Sequence, residues 1–448
     1  MASNMDSDNS IDLLIEPRWI IPMTAGARVL QAHCVAINNG RIVDIVPTHQ
    51  QRYQPRQHVK LEQHAVLPGL INTHTHSAMS LLRGYADDMA LKPWLETAIW
   101  PAEAKHADVR FVVAGTQLAA AEYIQSGTTT FVDMYFFPDK VAQQAQQTGL
   151  RTCVGFPVME FPTAWAQGPD DYLHKGMALC DEFKNDPLVS ILFGPHAPYT
   201  VADETWRKIR MYADELELPV QAHINETQGE VHESLAQYQV KPLQRLDQLG
   251  MLTPDLMAVH MTALDDEDIE LIANRGIHVV HCPESNLKLA SGFCPVGRLQ
   301  SAGVNVTLGT DGAASNNDLS LLNEMRTAAL LAKAVAEDAT AVDAYSALQM
   351  ATINAAKALQ LDDTIGSIEI GKAADLIAID LDQVNTQPLY DPIAQIVYAA
   401  NDRQITHSWV AGRCLMQERT LQTLNTAQLL TQAREWQQKI QPDQANKS

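Results

Sequence analysis

Leu67-Pro-Gly-Leu-Ile-Asn-Thr-His-Thr-His-Ser77 is an apolar, strand-forming run that stops at two histidines. A strand puts alternate side chains on one face, so His74 and His76 point the same way and can bind one metal ion. Two imidazoles are half a site, and the rest must come from elsewhere in the chain.

Downstream of this run, strand-like segments alternate with helical stretches, the pattern of a parallel sheet. Eight strands are expected, near Leu67–Thr73, Thr129–Met134, Arg151–Phe156, Val189–Gly194, Pro219–His223, Leu256–His260, Ile277–His281 and Val304–Gly309. That number, spread over about 250 residues, suits a (β/α)8 barrel. Upstream, from Ile11 to Pro47, short strands are broken by turns, with an Asn-Gly hairpin signal at Asn39-Gly40. The same texture returns at Gly366–Asp380 and Ser408–Met416. The expected architecture is a barrel over residues 67–365 and a small β-sandwich built from residues 1–66 and 366–448. Leu429, Ala433, Trp436 and Ile440 recur at helical spacing, so a terminal amphipathic helix is expected to pack on the body or on another subunit.

The totals narrow the function. The 448 residues are 46% hydrophobic and 19% charged, the balance of a globular protein with a large core. With 32 basic against 53 acidic residues the net charge is -21, which disfavours nucleic acid and acidic membranes as partners. The polar N-terminus, Met-Ala-Ser-Asn-Met-Asp-Ser-Asp, has no targeting character, and no run reaches a membrane span. The six cysteines are dispersed and read as reduced, with Cys282 packing as a small apolar group. A cytoplasmic homo-oligomer acting on a small molecule is expected.

Barrels carry their chemistry at the C-terminal ends of the strands. Six of the fifteen histidines fall there: His74 and His76 on strand one, His196 on four, His223 on five, His260 on six and His281 on seven. Asp311 follows strand eight in Leu308-Gly-Thr-Asp-Gly312. His74, His76, His223 and Asp311 make three neutral imidazoles and a carboxylate, a reasonable set for one Zn2+ with room for water. Alone, Asp311 would read as a turn or cap residue. Glu226, three residues past His223, suits proton transfer near the metal, although glutamate is also common in a first helical turn. His260 suits either a hydrogen bond to the attacking water or metal ligation, and His281 is equally well read as structural or functional.

These residues resemble the amidohydrolase superfamily through Pro68-Gly-Leu-Ile-Asn-Thr-His-Thr-His76, Gln221-Ala-His-Ile-Asn-Glu-Thr227, His281-Cys-Pro-Glu-Ser-Asn286 and Leu308-Gly-Thr-Asp-Gly312. Strand four ends in Leu192-Phe-Gly-Pro-His-Ala-Pro-Tyr199 without the lysine that bridges two metals in part of the superfamily, which implies one metal per subunit. Zinc is expected, with iron or another divalent ion as the alternative. Ser80-Leu-Leu-Arg-Gly-Tyr-Ala-Asp-Asp88, Trp94-Leu95 and Ile99-Trp-Pro-Ala-Glu103 are similar to the 5'-methylthioadenosine/S-adenosylhomocysteine deaminases. That resemblance implies that Glu103 and His196 contact the nucleoside, His260 and Asp311 hold the water, and Glu226 shuttles protons. Without it, Glu103 would read as a surface helix residue.

One departure concerns the substrate tail. Some members carry arginine between strands three and four to meet the homocysteine carboxylate, whereas Phe161-Pro-Thr-Ala-Trp-Ala-Gln-Gly-Pro-Asp-Asp171 has none. Trp165 and Trp94, with Trp100, suit an apolar methylthio tail, or simply pack the loops. The rival readings are a deaminase or chlorohydrolase of the same fold acting on another purine, a pterin or a triazine, and a catalytically inactive barrel scaffold.

Overall fold

The computed structural model describes residues 9–26 and 28–445; the N-terminal octapeptide read above as lacking targeting character lies outside the described residues. The barrel strands are β1 (Leu70–Thr75), β2 (Thr128–Met134), β3 (Arg151–Val158), β4 (Val189–Pro195), β5 (Val220–Ile224), β6 (Leu256–His260), β7 (His278–His281) and β8 (Val306–Leu308). Each runs parallel to the next in sequence order. β1, β2, β3, β5 and β6 are buried along their whole length. Helices cover the outer face and side chains fill the interior, which explains why these strands read as continuous runs rather than alternating ones.

No ladder of backbone bonds joins β1 to β8 among the described residues, so side chains close the barrel there. Thr73 Oγ1 donates to the Leu308 carbonyl at 2.8 Å and lies 2.8 Å from Thr307 Oγ1. Asn72 donates to Thr310 Oγ1 at 2.8 Å and accepts from the Thr310 amide at 3.0 Å. Beside this seam a Cβ at Gly309 would lie 2.8 Å from His74 Cβ and 2.9 Å from the His74 nitrogen, so the chain passes there only as glycine.

The chain ends form one mixed sheet of nine strands. Among the described residues these strands form the separate domain expected from both chain ends, hydrogen-bonded into one continuous set. Its organiser is the 15-residue strand Gln54–Pro68, which pairs in parallel with Ser10–Ile20 and antiparallel with Leu376–Asp380. Leu67 and Pro68 belong to this strand, and the chain passes into the barrel at Gly69, where a Cβ would strike Thr129 Oγ1 at 2.0 Å. The terminal helix Thr426–Ala445 lies on the helix Val109–Gln125, with Trp436 edge-on to Phe111 at 5.4 Å.

A buried ion pair fastens the sheet to the barrel. Arg151, at the start of β3, donates through Nε to Asp375 Oδ2 at 2.8 Å, and the two side chains are 7% and 3% exposed. Asp375 also accepts from the Ala411 amide at 2.7 Å, and its carbonyl accepts from Gly69 N at 2.9 Å. Removing one partner leaves an uncompensated buried charge. Arg151→Met is therefore expected to destabilise the protein by about 3–5 kcal/mol in chemical denaturation. The double change Arg151→Met/Asp375→Asn should cost less than the single one. A loss below about 1 kcal/mol for the single variant would contradict the role given to this pair.

Candidate metal centre and active site

Five side chains converge at the C-terminal mouth. β1 supplies His74 and is followed directly by His76, β5 supplies His223, β6 ends in His260, and Asp311 follows β8. The chain leaves the barrel here through left-handed residues, with φ of 50° at Asn225, 74° at His260 and 60° at Asp311. Such geometry costs on the order of 1 kcal/mol or more at a non-glycine residue and is tolerated where surroundings enforce it. At Asp311 the enforcement is visible: its amide donates to the His74 carbonyl at 3.0 Å.

Asp311 Oδ1 lies 3.5 Å from His74 Nε2 and 3.3 Å from His76 Nε2, and His223 Nε2 lies 3.2 Å from His74 Nε2. Donors held about 2.0–2.1 Å from a tetrahedral zinc stand roughly 3.3–3.4 Å apart, so these spacings match. The set His74, His76, Asp311 and the set His74, His223, His260 each place their ligand atoms within 4.8 Å of one another.

The opposite ring nitrogens explain why the Nε2 atoms face inward. His76 Nδ1 donates to the Met134 carbonyl at 2.6 Å and His223 Nδ1 to the His196 carbonyl at 2.6 Å. A carbonyl only accepts, so the proton sits on Nδ1 and the Nε2 lone pair is available to a metal. His74 Nδ1 meets Gln221 Oε1 at 2.8 Å, and Gln221 is oriented by its own donation to the Thr73 carbonyl at 2.7 Å. His260 Nδ1 lies 2.9 Å from Asn286 Oδ1.

The electrostatics favour a cation. Burial works against the charged forms, yet His74 and His76 hold the Asp311 carboxyl well below its ordinary range. In the other direction, Asp311 and the Met134 carbonyl outweigh burial and lift His76 to about 9. Burial and the neighbouring rings push His223 well down, so it stays neutral and basic only at Nε2. Metal binding thus competes with a proton on His76. Asp311 Oδ2 accepts from Ser285 Oγ at 2.7 Å and Ser315 Oγ at 2.9 Å, which fixes the carboxylate plane.

Glu226 lies just outside this cluster, with Oε2 3.7 Å from His260 Nε2 and 6% exposure. Burial and the nearby Asp311 raise its carboxyl to about 8. Its backbone is held by Glu230, whose Oε2 accepts from the Glu226 amide at 2.8 Å.

A cavity opens from this centre, walled by His76, His196, His223, Glu226, His260 and Asp311 on one side and by Trp94, Leu95, Trp100, Phe161 and Leu289 among others. Glu103 reaches it from the helix Trp100–His106 and accepts from Tyr135 Oη at 2.6 Å. His196, lowered to about 4 by burial and neighbouring rings, meets Thr200 Oγ1 at 3.0 Å through Nδ1. Trp165 does not join the wall: it packs against Tyr172, ring centres 5.7 Å apart, and Phe161 is the aromatic residue of that loop that faces the cavity. His281 also lies outside the wall; its carbonyl accepts from Gly309 N, and burial lowers its ring to about 3. Gln221, beside His74, and Tyr135 and Tyr199, which line the cavity, were not among the expected site residues. Gln221 is two residues from His223 and so on the same strand face, and Tyr135 immediately follows β2; position was the one signal the sequence offered for either.

Residues 65–415 match the model of the amidohydrolase family. The chain belongs to the amidohydrolase family. This amidohydrolase is 49% identical over 444 residues to a 5-methylthioadenosine/S-adenosylhomocysteine deaminase of Saccharophagus degradans, covering 99% of this chain and 100% of the relative. It is also similar to the crystal structure of an adenosine deaminase from Xanthomonas campestris with bound zinc, at 49% identity and a TM-score of 0.96, covering 97% of this chain and 99% of that one. At 21% identity, the atrazine chlorohydrolase TrzN of Arthrobacter aurescens shares the fold alone, with a TM-score of 0.89 and coverage of 95% and 99%. With this family, these relatives and this donor set, the protein is a metal-dependent hydrolytic deaminase. Among the described residues no helix is long and apolar enough to cross a membrane.

Second-layer partners of metal ligands typically contribute 10- to 100-fold in affinity, by about that much on loss. Gln221→Leu should therefore weaken zinc binding about 10–100-fold in competition with a chromogenic chelator. Unchanged affinity would show that His74 does not depend on this tether.

Proposed function

We propose that this amidohydrolase deaminates C6 of adenine nucleosides, with 5'-methylthioadenosine as the preferred substrate and S-adenosylhomocysteine as a poorer one. The observation that carries the reading is the pairing of the donor cluster with a separate buried carboxylate, Glu226, at the floor of a cavity that also holds Glu103. His74, His76, His223 and Asp311 would hold the metal. Zinc, when bound, supplies the Lewis acidity that makes water a nucleophile near neutral pH.

Glu226 takes a proton from the attacking water and passes it to the purine ring nitrogen. The C6–O bond forms, the remaining proton of the added hydroxyl passes to the amino group, the C6–N bond breaks and ammonia leaves, giving the inosine analogue. His260 and Asp311 orient the water, and the raised proton affinity of Glu226 suits a group that must both accept and return a proton. Glu103 accepts from ribose hydroxyls, and His196 faces the nucleoside from β4. The six free cysteines suit a reducing compartment, so we place the reaction in the cytoplasm.

The tail preference follows from the wall. Trp94, Leu95, Trp100, Phe161 and Leu289 are apolar, and among the described residues no lysine or arginine lines the cavity. Burying a zwitterionic amino-acid tail without partners is costly, whereas a methylthio group gains from the same surface. The kcat/KM for 5'-methylthioadenosine is expected to exceed that for S-adenosylhomocysteine by at least about 10-fold. Equal values would reject the apolar-tail reading.

Glu226→Gln keeps the shape of the site and removes the proton carrier. It should retain zinc and lose about 10²–10⁴-fold in kcat, as measured by ammonia release. Full activity in a zinc-loaded Glu226→Gln protein would remove Glu226 from this role.

A further inference from the structure

Glu103 reaches the cavity from outside the barrel. It lies on a helical arm made of Leu91–Trp94, a π-helical turn at Leu95–Ile99, and Trp100–His106. The reaction centre lies at the strand ends, so a residue that positions a substrate from the arm needs a connection to the strands. Tyr135 supplies one. It immediately follows β2, is 4% exposed, and its ring lies 4.9 Å from Phe136 and 6.4 Å from His76. Its hydroxyl donates to Glu103 Oε1 at 2.6 Å, the length of a strong bond to a charged acceptor.

We infer that Tyr135 is a positioning residue for the substrate sugar, fixing the Glu103 carboxylate so that its second oxygen meets the ribose hydroxyls. The inference rests on the nucleoside reading above. A carboxylate can turn about its last bond and offer either oxygen; a phenol locked onto Oε1 selects one orientation and leaves Oε2 as the main acceptor for a ligand. Packing alone would be served by phenylalanine, because the ring contacts do not use the hydroxyl. Burial raises Glu103 to about 7 against the opposing effect of Tyr135 and His76, so the phenol also favours the ionised form, which accepts from hydroxyls rather than donating to them. Both residues line the cavity, so the pair is in reach of a bound ligand.

The test compares zinc-loaded wild-type and Tyr135→Phe enzymes on 5'-methylthioadenosine and on its 2',3'-dideoxy counterpart, reading kcat and KM separately. For the ribonucleoside, Tyr135→Phe should lower kcat/KM about 10-fold, mostly through KM. The preference for ribo over dideoxy substrate should fall by the same factor, because the dideoxy sugar has no hydroxyl for Glu103 to grip. A loss of equal size on both nucleosides assigns Tyr135 a purely structural role and overturns the inference, as does a wild-type ratio retained in the variant. A wild-type enzyme that does not discriminate between the two sugars removes Glu103 from ribose binding, and the inference falls with it; discrimination in the wild type that survives in the variant removes only Tyr135.

Discussion

The close passage of the segment after β8 across β1 is the constraint on which the site depends. Glycine at 309 lets the chain run against the His74 backbone, and the Asp311 amide then bonds to the His74 carbonyl at 3.0 Å. That one contact sets the separation between a carboxylate from the last strand and two imidazoles from the first. The seam has no strand ladder to carry it, so Asn72, Thr73, Thr307 and Thr310 supply the bonds. A bulky residue at Gly309 would move Asp311 away from His74 and His76, even with every donor still present in the chain.

The centre also solves an electrostatic problem. Four potential donors, His74, His223, His260 and Asp311, are buried with two further carboxylates, Glu226 and Glu103, beside a half-buried His76. Charges in such surroundings persist only with partners, and the protein separates their fates by distance. Asp311 touches the imidazoles and stays ionised, whereas Glu226 stands 3.7 Å from its nearest ring nitrogen and is pushed upward by burial and by Asp311. Two carboxylates with opposite shifts are what a metal ligand and a proton carrier require.

Much of this arrangement was legible because the barrel makes topology a matter of period. Histidines at 74, 76, 196, 223 and 260 stop the strand-like runs, and strand ends in such a barrel share one mouth. The surface chemistry of loops was less legible. Trp165 and Phe161 lie four residues apart in one connection, and only the folded path, with Thr163 bonded to Ala166 and Trp165 on Tyr172, decides that Phe161 faces the cavity. Tyr135 and Gln221 escaped notice because a tyrosine or glutamine beside a strand usually signals packing, and their value depends on partners from distant segments, Glu103 and His74. The separate domain from both chain ends was legible in their shared strand texture, and Gln54–Pro68 joins its two parts by pairing with Ser10–Ile20 and Leu376–Asp380.

The most direct measurement is product formation by zinc-loaded protein given 5'-methylthioadenosine, guanine and a chlorotriazine in parallel, following ammonia, xanthine and chloride. Ammonia and the inosine analogue are expected from the nucleoside, with neither xanthine nor chloride from the others. Xanthine or chloride with an untouched nucleoside would contradict the nucleoside reading.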